Sequence, residues 1–383
     1  MKRLLVLSSH VPDPRMIKRI KTLKKISKET YLIYWERNFG YGFLFSPIED
    51  VSFDCLHTDS NPSLLQRFFE NNYLANESAK KIDNLEPEII YISGVEMLKI
   101  VNKIRWKKKP IIIIEIADIP ANTHISKHPF LGKTLERYLT TLIKKNADYY
   151  VFTSLGFYEG YYKKAGLSEN KIFIFENLPS KNIFQNFEVN PDKVINKNKL
   201  TIGCIGAVRH YPSFKTLFEA CKGINDVEIL IAGRGPDSDK VKDEAKNYSN
   251  IRIYGEYNYE RDIAKLYSMP DVIYSVYNTD NFNVRLLLPN RLYESIVCGK
   301  PIIVASNTYL EDYVRKLGVG FSVPYKDVKA LKKLIKELVT NKKLITDISN
   351  RCMKIRESYF YEKVENDFLN WIENIYSRSK ELK

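Results

Sequence analysis

The chain has 383 residues, 44% hydrophobic and 28% charged, and its 60 Lys and Arg against 46 Asp and Glu give a formal net charge of +14. That length exceeds one ordinary core and suits two α/β domains, while the composition excludes a disordered or collagen-like chain. Charge of this sign fits a lysine-rich solvated surface or an anionic partner, a membrane or a phosphorylated lipid; nucleic acid is disfavoured, because no helix-turn-helix, zinc-finger or RNP signature accompanies it.

In chain order, Leu4–Leu7 reads as a buried strand, Pro14–Ile26 as an amphipathic helix and Tyr31–Trp35 as a strand. Strand Ile89–Ile92, helix Val95–Ile104 and strand Ile111–Ile116 repeat the alternation. Helix Phe130–Lys145, strand Tyr149–Phe152, helix Gly156–Ala165 and strand Ile172–Phe175 close the first half. The polar stretch Asn186–Asn198, which contains Pro191 and lacks apolar periodicity, reads as a linker. A second alternating run follows with strands Leu200–Ile205, Val227–Ala232, Ile251–Tyr254, Val272–Val276, Ile302–Val304 and Val319–Val323. Between them lie helices Phe214–Cys221, Ser238–Lys246, Glu260–Leu266, Asn290–Val297 and Tyr309–Lys316.

This alternation predicts an α/β protein of two Rossmann-like, doubly wound domains, residues 1–190 and 199–360, facing each other across a cleft with ligands at the carboxyl edges of the sheets. Val364, Phe368, Trp371, Ile372 and Ile375 recur at helical spacing, so 361–383 is read as a C-terminal helix crossing back to the first domain. The opening MKRLLVLSSH is strand-like rather than a secretory leader, and no apolar run approaches the ~20 residues that span a bilayer. Five scattered cysteines without C-x-x-C spacing exclude a zinc framework or a disulfide scaffold and point to a reduced, cytoplasmic protein.

The chemistry-bearing residues concentrate in the second half. After strand Leu200–Ile205, GAVRHYPSFKTLFEA places Arg209 in the loop and Lys215 at the start of the next helix. Two cations beside a helix N-terminus suit a diphosphate, though a solvated loop–helix junction has the same look. In LPNRLYESIVCGKPIIV, Pro289 opens a helix that carries Arg291 and Glu294. An ionised Glu294 facing a cleft accepts both hydroxyls of a ribose and Arg291 reaches phosphates; the alternative is an intrahelical Arg291–Glu294 pair. Neither Gly203-Cys-Ile-Gly206 nor Gly233-Arg-Gly235 is a G-x-G-x-x-G, and Ser8–Arg15 has no glycine, which argues against an NAD enzyme.

Taken together, the Arg209/Lys215 pair, LIAGRGP (Leu230–Pro236), NIRIYGEY (Asn250–Tyr257) and PNRLYESIVCGKPII resemble, in order and spacing, the donor-binding domain of GT-B glycosyltransferases over about Lys199–Val323. The family is the large retaining one (family 4-like, group 1) that includes sucrose synthases and many bacterial polysaccharide enzymes. The resemblance implies that Arg209 and Lys215 hold the donor diphosphate, Glu294 the ribose and Gly255–Tyr257 the base, with Gly206 and Arg291 in the same donor site. In the first half LLVLSSHVPDPRMIKRIKTLKK, IIIIEIADIP, ADYYVFTS and KIFIFENLP are more weakly similar to the acceptor domain. There Asp118 is the first candidate catalytic side chain above the sugar, with His10 and His124 behind it.

Two positions depart from the family pattern. The first carboxylate of its Glu-x7-Glu motif falls on Leu286, so Asp280 or the backbone of Asn281–Asn283 takes that role; Ala117, between Glu115 and Asp118, stands where relatives carry a histidine. The implied activity is transfer of a sugar from a UDP- or GDP-linked donor, with no other cofactor, to a glycan or lipid-linked acceptor in bacterial surface polysaccharide synthesis. Retention of configuration is implied, and no D-x-D pair is read as a metal site, so cations and helix dipoles take the place of a metal. Alternatives are a non-catalytic GT-B binding or scaffold subunit and a sugar-nucleotide epimerase. Basic stretches at Arg15–Lys28 and Lys99–Lys109 fit peripheral docking on an anionic membrane at the inner face of the cell, or plain solvated helices.

Overall fold

The computed structural model describes residues 2–37, 46–58, 64–82, 84–119, 129–195 and 197–381, with side chains described for all of these except 64–68, 129–131 and 193. His124 lies outside the described residues. The chain divides into two compact units, Met1–Glu176 with Glu365–Lys383, and Asn177–Val364.

In the first unit, strands β1 (Lys2–Ser8), β2 (Ser27–Arg37), β3 (Val51–Thr58), β4 (Ile89–Ser93), β5 (Ile111–Ile116), β6 (Tyr149–Phe152) and β7 (Ile172–Ile174) form one sheet. Its order is β3-β2-β1-β4-β5-β6-β7 and every pairing is parallel. Strands IIYIS and IIIIEI are buried at every position, as central strands covered on both faces must be. Edge strand β3 instead leaves most of VSFDCLHT partly or fully exposed. Because β1 is flanked by β2 and β4, the strand order reverses beside it and opens a crevice at its carboxyl end.

Helix Pro14–Lys24 follows that end. Asp13 caps it by accepting the Met16 N–H at 2.8 Å, proline occupies its first turn, and Met16, Ile20 and Leu23 are buried. The helix Tyr361–Glu381 begins in the second unit and continues into the first. Phe368 and Ile372 are fully buried there, with the Phe368 ring 4.4 Å from Phe175 and Trp371 5.3 Å from Phe173. Glu365 accepts from Thr22 Oγ1 and Lys25 Nζ, both at 2.7 Å.

The second unit is a six-stranded parallel sheet of β8 (Leu200–Ile205), β9 (Val227–Ala232), β10 (Ile251–Gly255), β11 (Val272–Ser275), β12 (Ile302–Ala305) and β13 (Gly320–Val323). Its order, β10-β9-β8-β11-β12-β13, puts the switch beside β8. A core of Ile202, Leu217, Ile229, Ile231, Leu331 and Ile335 fills one face.

Several expected elements differ in detail. The division falls at 176/177, ahead of the expected linker, and Pro191–Val194 is a short 3₁₀ turn whose Val194 is buried in the second core. The expected helix Val95–Ile104 is a 3₁₀ turn, Val95–Met97, followed by a single α turn, Leu98–Val101. Residues expected as helix Gly156–Ala165 form Leu155–Phe157 and then a π turn, Tyr158–Tyr162. The five thiols form no disulfide, and no helix among the described residues is long and apolar enough to cross a membrane.

Candidate active site

At the carboxyl edge of the second sheet, glycines end three neighbouring strands. Gly206 (φ +113°), Gly233 (φ +129°) and Gly255 (φ +88°) adopt backbone conformations that side chains disfavour. Gly206 N–H donates to Ala232 O at 2.9 Å and Gly233 N–H to Gly255 O at 2.7 Å, so the loops are laced together. A Cβ on Gly233 would lie 1.9 Å from Gly206 O, whereas one on Gly255 meets nothing within 4 Å. Gly233 is thus glycine for loop packing, and Gly255 borders open space.

Helix Tyr211–Cys221 begins three residues earlier than expected, so Lys215 sits at the start of its second turn. His210 precedes it in the left-handed region (φ +66°), and Asp237 Oδ2 accepts the Tyr211 N–H at 3.0 Å. Burial, assisted by the neighbouring Arg209 charge, lowers the His210 pKa against the pull of Asp237. Arg209 is exposed and forms no hydrogen bond or ion pair among the described residues. Lys215 is half exposed, and its one ion-pair neighbour among the described residues is Glu219 at 4.0 Å. Both cations therefore stand at the mouth of β8 essentially uncommitted. Asp237-Ser238-Asp239 does have D-x-D spacing, which the sequence reading did not use; Asp237 works there as the cap on Tyr211 and Ser238 Oγ accepts the Gly235 N–H at 2.8 Å.

Helix Asn290–Val297 carries Arg291 and Glu294. Arg291 Nη2 donates to Ala207 O at 3.2 Å, its guanidinium lies 5.6 Å from the Tyr277 ring, and it packs against Gly206 where a side chain would crowd it at 3.1 Å. The Glu294 carboxylate is buried and accepts the Tyr259 hydroxyl at 2.7 Å and the Tyr267 hydroxyl at 2.8 Å, one on each oxygen. Burial and the Glu294 charge raise both tyrosine pKa values, which keeps them protonated donors. Tyr257 is pushed up to about 12 by burial and by Glu294, with Arg291 opposing. The structure thus brings Gly206, Arg291, Glu294 and Tyr257 into one neighbourhood. It adds Tyr259, Tyr267 and Tyr277, which sequence reasoning missed. Leu286 ends the short helix Phe282–Leu286, and Asp280 just before it is exposed.

The corresponding edge of the first unit is densely paired. Ser9 N–H donates to Ser93 O at 3.0 Å, and Gly94 (φ +100°) is required because a Cβ there would fall 2.1 Å from Ser9 Oγ. His10 Nδ1 lies 3.4 Å from Ser9 Oγ and its Nε2 3.9 Å from Asp13 Oδ2. Burial opposes ionisation of Asp13, but His10, Arg15 and the Met16 N–H hold its carboxyl well below the usual range. Glu115 is fully buried, with Arg19 Nε at 3.0 Å, Arg15 Nε at 3.2 Å and the Tyr91 hydroxyl on the same carboxylate. Burial alone raises a carboxyl, yet these partners leave Glu115 below its ordinary pKa. Asp118, two residues past β5, keeps solvent contact; the surrounding protein and Glu96 raise its carboxyl, against Arg15. The structure therefore places Asp118 and His10 on the same edge, His10 beside Asp13 and Asp118 under the influence of Arg15, which also pairs with Asp13.

Residues 186–354 match the family model of glycosyl transferases group 1. The succinoglycan biosynthesis protein ExoL of Rhizobium meliloti is 22% identical over 355 residues, covering 89% of this chain and 86% of the relative. Among solved structures, a sucrose-phosphate synthase from Thermosynechococcus elongatus superposes with a TM-score of 0.74 at 12% identity, covering 99% of this chain and 100% of the other. Anabaena HepE in complex with UDP and glucose gives 0.70 at 12% identity, covering 98% and 100%. The chain has the GT-B fold of these structures, and its second unit carries the stretch that matches the glycosyl transferases group 1 model.

Proposed function

We propose that the chain transfers a sugar from a nucleotide diphosphate donor, UDP-linked ahead of GDP-linked, to a glycan or lipid-linked acceptor in surface polysaccharide synthesis. The observation that carries this reading is the pair of exposed, nearly uncommitted cations Arg209 and Lys215 at the mouth of β8, in the unit that also holds the buried Glu294. As the bond from the anomeric carbon to the diphosphate oxygen breaks, negative charge builds on the leaving group. Fixed cations lower the barrier when they hold that charge more tightly in the transition state than in the ground state. The acceptor oxygen bonds to the anomeric carbon on the face the diphosphate leaves, and its proton passes to a phosphate oxygen, so configuration is retained. Glu294, oriented by Tyr259 and Tyr267, receives the ribose hydroxyls, and Tyr257 lies against the base. Asp118, on the acceptor side, is the carboxyl offered to the sugar or acceptor hydroxyls, and His10, near Asp13, is the second candidate. The HepE complex with UDP and glucose and the succinoglycan role of ExoL support the donor and pathway class.

The test is a mass-spectrometric panel of UDP- and GDP-sugars with the full chain beside Lys215→Ala. Donor turnover lost in the variant supports the assignment; equal turnover removes it. With cations in the role of a metal, a chelator such as EDTA leaves the rate unchanged, and abolition of turnover restored by a divalent ion refutes metal independence. Leu286 at the position of the family's first motif carboxylate favours one second reading, a nucleotide-binding subunit without catalysis. That reading predicts a thermal shift with UDP and no turnover of any donor.

A further inference from the structure

At the amino-terminal edge of the first sheet, where β1, β4 and β5 begin, the surface sinks into a cavity of about 780 Å³. Arg3 and Ile111 line it from the starts of β1 and β5. The five steps from Ile111 to Ile116, at ~3.3 Å each, set it roughly 16 Å from the opposite end of β5, beyond which Asp118 lies. It is therefore not part of the candidate active site.

Of its nineteen lining residues eight are Lys or Arg, and two, Glu86 and Glu88, are acidic. Both acids are already engaged. Glu88 accepts the Arg3 backbone N–H at 3.2 Å and the Tyr376 hydroxyl at 2.5 Å, and Glu86 lies 3.3 Å from Arg3 Nη2. Arg105 and Lys108 are exposed and have no hydrogen-bond or ion-pair partner among the described residues, while Lys103 Nζ binds the neutral Asn76 at 2.6 Å. The wall is not wholly polar: Ile82, Ile104 and Trp106 line it, and Trp106 Nε1 is anchored to Val101 O at 3.3 Å. Lys80 pairs with Glu77 at 2.7 Å, Lys107 with Glu86 at 3.9 Å and Lys109 with Asp148 at 3.1 Å, so the uncompensated charge is that of Arg105 and Lys108, which their cationic neighbours repel. A volume within the range of ligand pockets, with cationic sides and an anchored aromatic, suits phosphate oxygens at one end and an apolar group at the other.

We propose that this cavity is a second binding site, for a phosphate or diphosphate ester with an apolar portion, distinct from the donor site. The ester is either a free small molecule or the headgroup of a lipid. The test uses the full chain carrying Arg209→Ala and Lys215→Ala, which silences the proposed donor site. Inorganic pyrophosphate is titrated by calorimetry, and flotation is measured with phosphatidylglycerol and with phosphatidylcholine vesicles. Binding is expected in at least one arm, weakened about tenfold or more by adding Arg105→Glu and Lys108→Glu. Both side chains are exposed and unpartnered, so the thermal midpoint holds, and Arg105→Gln with Lys108→Gln provides a gentler pair with the same readout. Pyrophosphate binding sensitive to these changes assigns a free phosphate; flotation that requires phosphatidylglycerol and shows the same sensitivity assigns a headgroup. No binding in either arm, or binding indifferent to the substitutions, overturns the proposal.

Discussion

The loops that follow β1 and β8 occupy equivalent places, each at the strand where its sheet reverses order, yet they treat positive charge in opposite ways. After β1, Arg15 and Arg19 are drawn inward onto Glu115, and Arg19 is fully buried, donating to Phe175 O at 2.5 Å and lying 3.3 Å over the Phe175 ring. After β8, Arg209 and Lys215 stay at the surface with almost nothing to neutralise them. A buried charge left without its partner is costly, so removing either side of the Arg19–Glu115 pair is expected to destabilise this edge. An exposed, unpaired one contributes little to stability and remains available to an anion. One edge turns its positive charge inward onto a carboxylate; the other leaves it facing solvent.

The sharpest way to break this contrast is Arg19→Ala, which strands the Glu115 carboxylate without its closest cation. A loss of about 3–5 kcal/mol in unfolding free energy, read from urea titration, is expected. Arg209→Ala is the counterpart: stability within about 0.5 kcal/mol of the parent, and kcat/KM lower by about 2–4 kcal/mol, roughly 30-fold to 10³-fold. Comparable stability losses in the two variants would erase the distinction. Tyr267→Phe sharpens it from within the donor side by removing one of the two hydroxyls on Glu294. It is expected to cost about 1.5–3 kcal/mol in stability or in nucleotide affinity, measured by thermal unfolding with and without UDP.

The smallest effect belongs to Asp13. Its carboxyl is held below the unfolded value, so its contribution to stability is complete above that value, near pH 4, and disappears as pH falls through the lower folded one. Asp13→Asn therefore flattens the acid limb of the stability profile and leaves the slope above pH 5 unchanged. An acid limb as steep as the parent's would show that Asp13 is not coupled to folding.

How legible all this is from sequence follows from burial. Central strands such as IIIIEI announce themselves because both faces are covered, and the order of strands and helices is read from them. Edge strand β3 escapes notice because VSFDCLHT is largely exposed and interrupted by charge, and helix Leu64–Ile82 beyond it goes unread with it. Arg209 and Lys215 stand out only once the ordered motifs of the second half are read together, because a loop–helix junction with two cations is common on its own. Tyr259 and Tyr267 are not: they sit at the two ends of a helix whose apolar pattern reads as 260–266, and their shared partner Glu294 lies 35 and 27 positions away. A tyrosine on an amphipathic helix looks like core until the carboxylate it serves is placed beside it in space.

The closing helix has a consequence for where the chain can be cut. Phe368, Trp371 and Ile372 complete the aromatic packing around Phe173, Phe175 and Tyr149 in a unit whose other strands are translated first. A chain cut before Glu365 therefore leaves the first unit with its aromatic seam uncovered, although every strand of that unit is present.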